Sequence, residues 1–159
     1  MNIFLPYPEI EKNVLCLDDL RLNKMIIEHG QLLSAAMHVH GGTPPLKPYF
    51  LYHPCAKFTM ATKGNYEYVL QYYVEMLKEF EFRKDKQHSF VKHIEIFTQG
   101  AELIPEGDLQ PFFNCSAYKD EEIHSAYRKT LYNKWVNDYR KPKWTKRSRP
   151  EFISEYQSN

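Results

Sequence analysis

Arg21, Lys24, Glu28 and Gln31 follow one another at i, i+3, i+7 and i+10, a spacing that a helix of about 3.6 residues per turn gathers into one polar arc. A carboxylate, two cations and a carboxamide side by side can hold a phosphate, and can move a proton or stabilise charge at a sugar. The same spacing also suits a solvated face, with Lys24 and Glu28 as an ion pair of about 0.3–0.5 kcal/mol. A second cluster, Tyr52-His53-Pro54-Cys55-Ala56-Lys57-Phe58, puts His53 and Lys57 at a predicted helix start. Free N–H groups there receive phosphate, and the helix dipole favours neutral imidazole; His53 as a plain helix cap is the competing reading. Cys55 at such a start would gain nucleophilicity, although cysteine also serves as a small buried residue. Arg83, Lys86 and His88 form a third group that can grip phosphates or simply solvate a helix end. The fourth runs from Arg128 to Arg149, nine basic residues against Asp138 alone, interleaved with Tyr132, Trp135, Tyr139 and Trp144. Cations for phosphates and rings for bases are the parts of a nucleic-acid surface, with Lys143, Trp144, Lys146 and Arg147 as its expected contacts. A disordered basic tail has the same composition.

Positioning these groups takes helices. From Leu17 the apolar residues Leu22, Met25, Ile26, Leu32, Leu33 and Ala36 fall on one stripe, which predicts a first helix ending near Met37. His38-Val-His-Gly-Gly-Thr-Pro-Pro-Leu-Lys-Pro then forces a loop over 38–50. Residues 56–82 read as a long helix with a break at Gly64-Asn65, 88–98 as a shorter one, 100–114 as a connection and 120–140 as a last helix carrying Ile123, Tyr127, Leu131 and Trp135. Met1–Pro8 reads as a short apolar strand or extended arm. No segment shows sustained period-2 alternation. The expectation is an all-α protein, one compact domain over 1–159 of about four helices, with long Pro/Gly-containing loops and an extended basic tail over 140–159.

Charge and composition exclude some classes. With 21 Lys+Arg against 20 Asp+Glu the net charge is +1, which does not suit a protein that coats nucleic acid indiscriminately. The balance is uneven along the chain: residues 1–127 carry 12 basic and 17 acidic side chains, while 128–159 carry 9 and 3. Aromatic residues make up 15%, so some rings reach the surface, where they pave a cleft, stack on bases or cover helices. Cys16, Cys55 and Cys115 form no Cys-x-x-Cys pair, which fits a reducing cytoplasm better than a disulfide framework. No export signal or membrane span is read from the sequence. His38-x-His40 lacks further ligands at zinc spacing, and neither metal nor cofactor is expected.

The chemistry-bearing residues also carry a family likeness. Met1-Asn-Ile-Phe, Asp19-x-Arg21-x-x-Lys24-Met25-Ile26-x-Glu28-x-x-Gln31-Leu32-Leu33, His53-Pro54-Cys55-x-Lys57-Phe58, Asn65-Tyr66, Arg83-x-x-Lys86-x-His88 and Lys143-Trp144-x-x-Arg147-x-x-Pro150-Glu151-Phe152 together resemble a phage-encoded branch of the pyrimidine-dimer DNA glycosylases, the endonuclease V type. The resemblance runs over nearly the whole chain. It implies an all-α domain that flips a nucleotide out of damaged duplex DNA. It also implies displacement of the base by the α-amine of the enzyme's own N-terminal residue, a Schiff base at the sugar C1′, and a glutamate on the first helix for charge stabilisation and proton transfer. On this chain that glutamate is Glu28.

The expected function is therefore a DNA N-glycosylase, with or without AP-lyase activity, on a damaged or modified base. Glu28 and Lys24 are its catalytic residues, Lys24 because Asn2 is bulky for removal of Met1 and a second amine would then form the imine. Arg21, Gln31, His53, Lys57, Arg83, Lys86 and His88 hold phosphate or base. The partner is nucleic acid, duplex DNA first, or a nucleotide, in the cytoplasm of the host cell if the protein is phage-encoded. Two alternatives use the same cationic pocket: a non-catalytic protein that binds a nucleotide or nucleic acid, and a glycosidase acting on free nucleotides.

Overall fold

The apolar stripe of the first predicted helix winds as expected. In the computed structural model, which describes residues 1–158, it becomes α2 (Asp19–Val39), preceded by a short α1 (Ile10–Cys16). Leu22, Ile26, Leu32, Leu33 and Ala36 are all fully buried, each large side chain worth about 1.5–3 kcal/mol of transfer from water. Their face lies against α3 (Pro54–Ala61) and α4 (Lys63–Lys84), and α1 packs on α4 as well. A 3₁₀ turn at Ser89–His93 runs into α5 (Ile94–Gly100), and α6 (Ile123–Asn137) and a final α7 (Ile153–Gln157) complete the chain.

The described residues are all-α, without strands, but hold seven α-helices rather than about four. The extra ones are α1 and α7, of 7 and 5 residues, too short for a stripe to repeat, and a split in the predicted helix over 56–82. That split falls at Thr62, which is extended and caps α4 by accepting a hydrogen bond from the Asn65 amide at 3.1 Å. Gly64, the expected break, lies inside the first turn of α4. A side chain there would meet the backbone amide of Leu109 at 2.3 Å, so this glycine lets the 104–122 connection cross the helix.

The C-terminal stretch is neither free nor wholly extended. Trp144 donates its indole N–H to the Cys16 carbonyl at 3.0 Å, Thr145 is bonded to Asp19, and Phe152 and Ile153 are buried in the core. An apolar anchor every few residues docks the basic segment on the helices it was expected to leave.

Candidate active site

The N-terminal arm is the element that builds the site. Ile3, Phe4 and Leu5 are buried, yet the arm pairs with no strand, so its backbone groups must find side chains. The Tyr72 hydroxyl of α4 donates to the Phe4 carbonyl at 2.8 Å. From α6, His124 Nδ1 meets the Leu5 carbonyl at 2.7 Å and Arg128 donates to the Pro6 carbonyl at 2.9 Å. The Tyr127 hydroxyl donates to Asn2 Oδ1 at 2.9 Å while accepting from the Cys115 amide. Asn13 Oδ1 accepts the Tyr7 amide at 2.7 Å. Held along its length, the arm ends with the α-amine of Met1 3.4 Å from Glu28 Oε1, the two side chains only 2% and 14% exposed.

Glu28 Oε2 is buried and has no hydrogen-bond partner. One carboxylate oxygen thus faces an amine and the other is unengaged, a costly arrangement unless a ligand completes it. His53 stands beside both. Its Nδ1 accepts the Cys55 amide at 3.0 Å and caps α3, which leaves Nε2 for other work. Burial pushes the His53 imidazole below its ordinary value and the Met1 amine pushes it further, against the opposing pull of Glu28. It is therefore neutral at pH 7. An amine, a carboxylate and a neutral imidazole in a partly desolvated corner are the parts of covalent amine catalysis with proton transfer.

The structure sorts the other residues singled out in the sequence. Lys24 is exposed and contributes to holding the Asp138 carboxylate below its usual range; the amine that meets Glu28 is that of Met1. Gln31 is half-buried one turn past Glu28 on α2. Lys57 is exposed one turn into α3 and lines a shallow groove of about 340 Å³ with Phe58, Gln110 and Phe113. Arg21 is buried and bidentate on Asp138 at 2.7 and 3.0 Å, with Asp18 at 3.1 Å, and Trp135 donates to the same Asp18. Its charge ties α6 to α2 and is not open to a phosphate. Arg83 is fully buried, donating to the Leu17 carbonyl at 2.7 Å and to Asp19 at 3.1 Å, with Glu79 at 3.4 Å. His88 caps the 3₁₀ turn through Phe90 and bonds Asn23 at 3.0 Å. Partners on other elements hold these three expected phosphate ligands as ties between helices and turns.

The expected tail contacts divide likewise. Lys146 reaches the Phe82 carbonyl and Asp85, and Arg147 grips Glu79 at 2.8 Å, so both are committed to the end of α4. Trp144 packs edge-on against Trp135 at 5.0 Å rather than presenting a free ring. Lys143 and Lys86, by contrast, are exposed on one groove of about 800 Å³, together with Lys84, Arg140, Lys141 and Asn23 of α2. Asp18, Asp19 and Asp138 also line it, but they already face Arg21, Arg83 and Thr145. Asn23 lies five residues before Glu28, about 7–8 Å along the helix axis, so this basic groove opens on the same helix as the amine site.

Of the arm-holding residues, Tyr72 and His124 carried no expectation from the sequence, Tyr127 was expected only on the stripe of the last helix, and Arg128 only as the first cation of the basic segment. A signal exists for the last three, which fall at i, i+3 and i+4 of α6 and mix polar groups into its buried stripe. Among the described residues no three His, Cys, Asp or Glu side chains converge as a metal site, and no helix is long and apolar enough to cross a membrane. No curated protein and no solved structure matches the chain. The family model described as pyrimidine dimer DNA glycosylase matches residues 1–93, the segment that supplies Met1, Glu28 and His53, while α6 and the basic C-terminal segment lie beyond the match. With more than half of its length matched and a buried amine set against a helix glutamate, the chain belongs to the pyrimidine dimer DNA glycosylase family.

Proposed function

We propose that this protein is a DNA N-glycosylase acting on pyrimidine dimers or a related lesion in duplex DNA, with the α-amine of Met1 as nucleophile and Glu28 as its proton-handling carboxylate. The observation that carries the reading is the amine at 3.4 Å from one oxygen of a glutamate whose other oxygen is buried and unpartnered. In the neutral form the amine nitrogen bonds to C1′ of the lesion's sugar, the glycosidic C1′–N bond breaks, and the base leaves with that electron pair and takes a proton from water, one proton staying on the amine nitrogen and the other passing to Glu28. The C1′–O4′ bond then opens to give an iminium between C1′ and the amine, and Glu28 relays the amine proton to O4′. Abstraction of a C2′ proton from that iminium would give strand cleavage by β-elimination. An α-amine suits this role better than a lysine, since its conjugate acid is weaker and more of it is neutral near pH 7. Lys24, exposed on the basic side of α2, is assigned to phosphate contact together with Lys86 and Lys143, and Gln31, His53 and Lys57 to the nucleotide at the amine.

Incubating ultraviolet-irradiated duplex DNA with the protein and borohydride tests the reading. Base release and a covalent protein–DNA adduct are expected. Tight binding of the same duplex with neither product would assign the pocket to binding without turnover, and release from free nucleotides alone would assign it to the smaller substrate.

A further inference from the structure

Between Glu28 and Glu67 the sequence contains no Asp or Glu, and this stretch includes the most exposed cluster of rings near the amine. Tyr52 is 85% exposed, Phe50 61% and Tyr49 46%, in a chain that buries Tyr66, Tyr72, Tyr73, Tyr127 and Phe97 almost completely. The segment that carries them is fastened at both ends. Leu46 packs into the notch left by Gly30 of α2, where a Cβ would stand 3.0 Å from its Cδ1. At the other end the Phe50 carbonyl accepts the His53 amide at 2.9 Å in a tight turn, and His53 is the imidazole beside the Met1 amine and Glu28. Pro44, Pro45 and Pro48 remove chain freedom between these anchors. Phe50 itself has φ +56, a left-handed conformation unfavourable for a bulky residue that persists where surrounding structure imposes it. At this position a phenyl ring stands out in water, where the hydrophobic effect would not put it.

We infer that Tyr49, Phe50 and Tyr52 form a stacking wedge that enters duplex DNA at the lesion and packs against a base unstacked where the helix is opened. The inference rests on the DNA-directed reading of the amine site. The occupant follows from the chemistry of the patch. Every base offers a π face to an aromatic ring, and unstacking by apolar side chains is what a kinked duplex admits. Lys47, 5.3 Å from the Tyr49 ring centroid, supplies a cation for the flanking phosphate, and the lack of carboxylates from residue 29 to residue 66 leaves nothing to repel the backbone. Tyr52 immediately precedes His53, so the rings stand at the lip of the site that would receive the sugar.

The test uses the full protein and a duplex carrying a tetrahydrofuran abasic analogue, with 2-aminopurine placed opposite or next to it. Binding of the unaltered protein is expected to change the probe's fluorescence. Tyr52→Ala and Phe50→Gly are expected to abolish that change and to weaken binding about ten- to a hundred-fold, at an unchanged melting temperature for Tyr52→Ala. Glycine adopts positive φ freely, so Phe50→Gly removes the ring while keeping the turn. Variants that bind and report as the unaltered protein does would overturn the wedge. So would a loss confined to binding of anionic lipid vesicles, which would assign the rings to a membrane surface. Borohydride trapping on the matching natural abasic duplex separates the two claims. An adduct with a ring-independent probe signal retires the wedge and leaves the catalytic reading intact, whereas a ring-dependent signal without any adduct does the reverse.

Discussion

Among single residues, the proposed chemistry turns on what surrounds the Met1 amine. Glu28→Gln keeps the side chain's shape and removes its charge and basicity. Adduct formation is expected to fall by about 10²–10⁴-fold while affinity for duplex DNA changes little, a split that single-turnover kinetics beside a binding titration would reveal. Tyr127→Phe removes a hydroxyl that touches no substrate but holds Asn2. Stability should drop by about 1 kcal/mol, with adduct formation slowed by about tenfold or more because the amine loses its registration. His29 makes a separate prediction. It is wholly buried against Tyr72, both ring nitrogens lack partners, and burial pushes its imidazole down to about 4. The unfolded chain binds a proton there below about pH 6.5 and the folded one does not until about pH 4, so stability is full above 6.5 and declines as pH falls through that window. The decline amounts to roughly 3 kcal/mol, and melting temperatures from pH 7 to pH 4 should show a shallower slope in His29→Leu. Glu28 and His53 were legible from residue type and spacing because both lie close to helix starts or on helix arcs. The amine was not, since no local pattern says where an arm of eight residues will end.

At the scale of elements, the buried guanidinium of Arg83 shows why charged residues mislead when read along the chain. Its partner Asp19 is 64 residues away, and Glu79, which it shares with Arg147, lies 68 residues from that arginine. In sequence Arg83 is indistinguishable from a phosphate ligand. In the fold it joins the α1–α2 junction to α4, and through Thr145 and Arg147 it secures the C-terminal segment. Burial alone would raise the Asp19 carboxyl, but the Thr145 and Arg83 hydrogen bonds bring it below its ordinary value. Arg83→Met leaves Asp19 and Glu79 without their shared cation and should cost about 3–5 kcal/mol, read as a lower urea midpoint. Any effect on DNA binding should follow the loss of folded protein. The helices themselves divide by length. Long α2 and α6 were readable because their stripes repeat for three or more turns, whereas α1 and α7 offer too little sequence for a period. The α3–α4 boundary fell at Thr62 because a hydroxyl cap outweighed the break expected at Gly64-Asn65.

At the scale of the whole molecule, near-neutrality conceals a division of labour among the charges. Arg21, Arg83 and Arg147 are consumed inside or between helices, while Lys86, Arg140, Lys141 and Lys143 remain on one groove beside α2. If that groove carries phosphates, each of Lys86→Ala and Lys143→Ala should reduce the slope of log K against log salt by about 0.9. The salt dependence of duplex affinity checks this, and an unchanged slope in the double variant would remove the groove from the interface. Peptide mapping by mass spectrometry of the borohydride-trapped adduct identifies the nucleophile itself. A sugar remnant is expected on the α-nitrogen of Met1, with loss of the adduct when that amine is selectively acetylated. A remnant on Lys24 or on any other lysine, or undiminished trapping by the acetylated protein, would contradict that assignment.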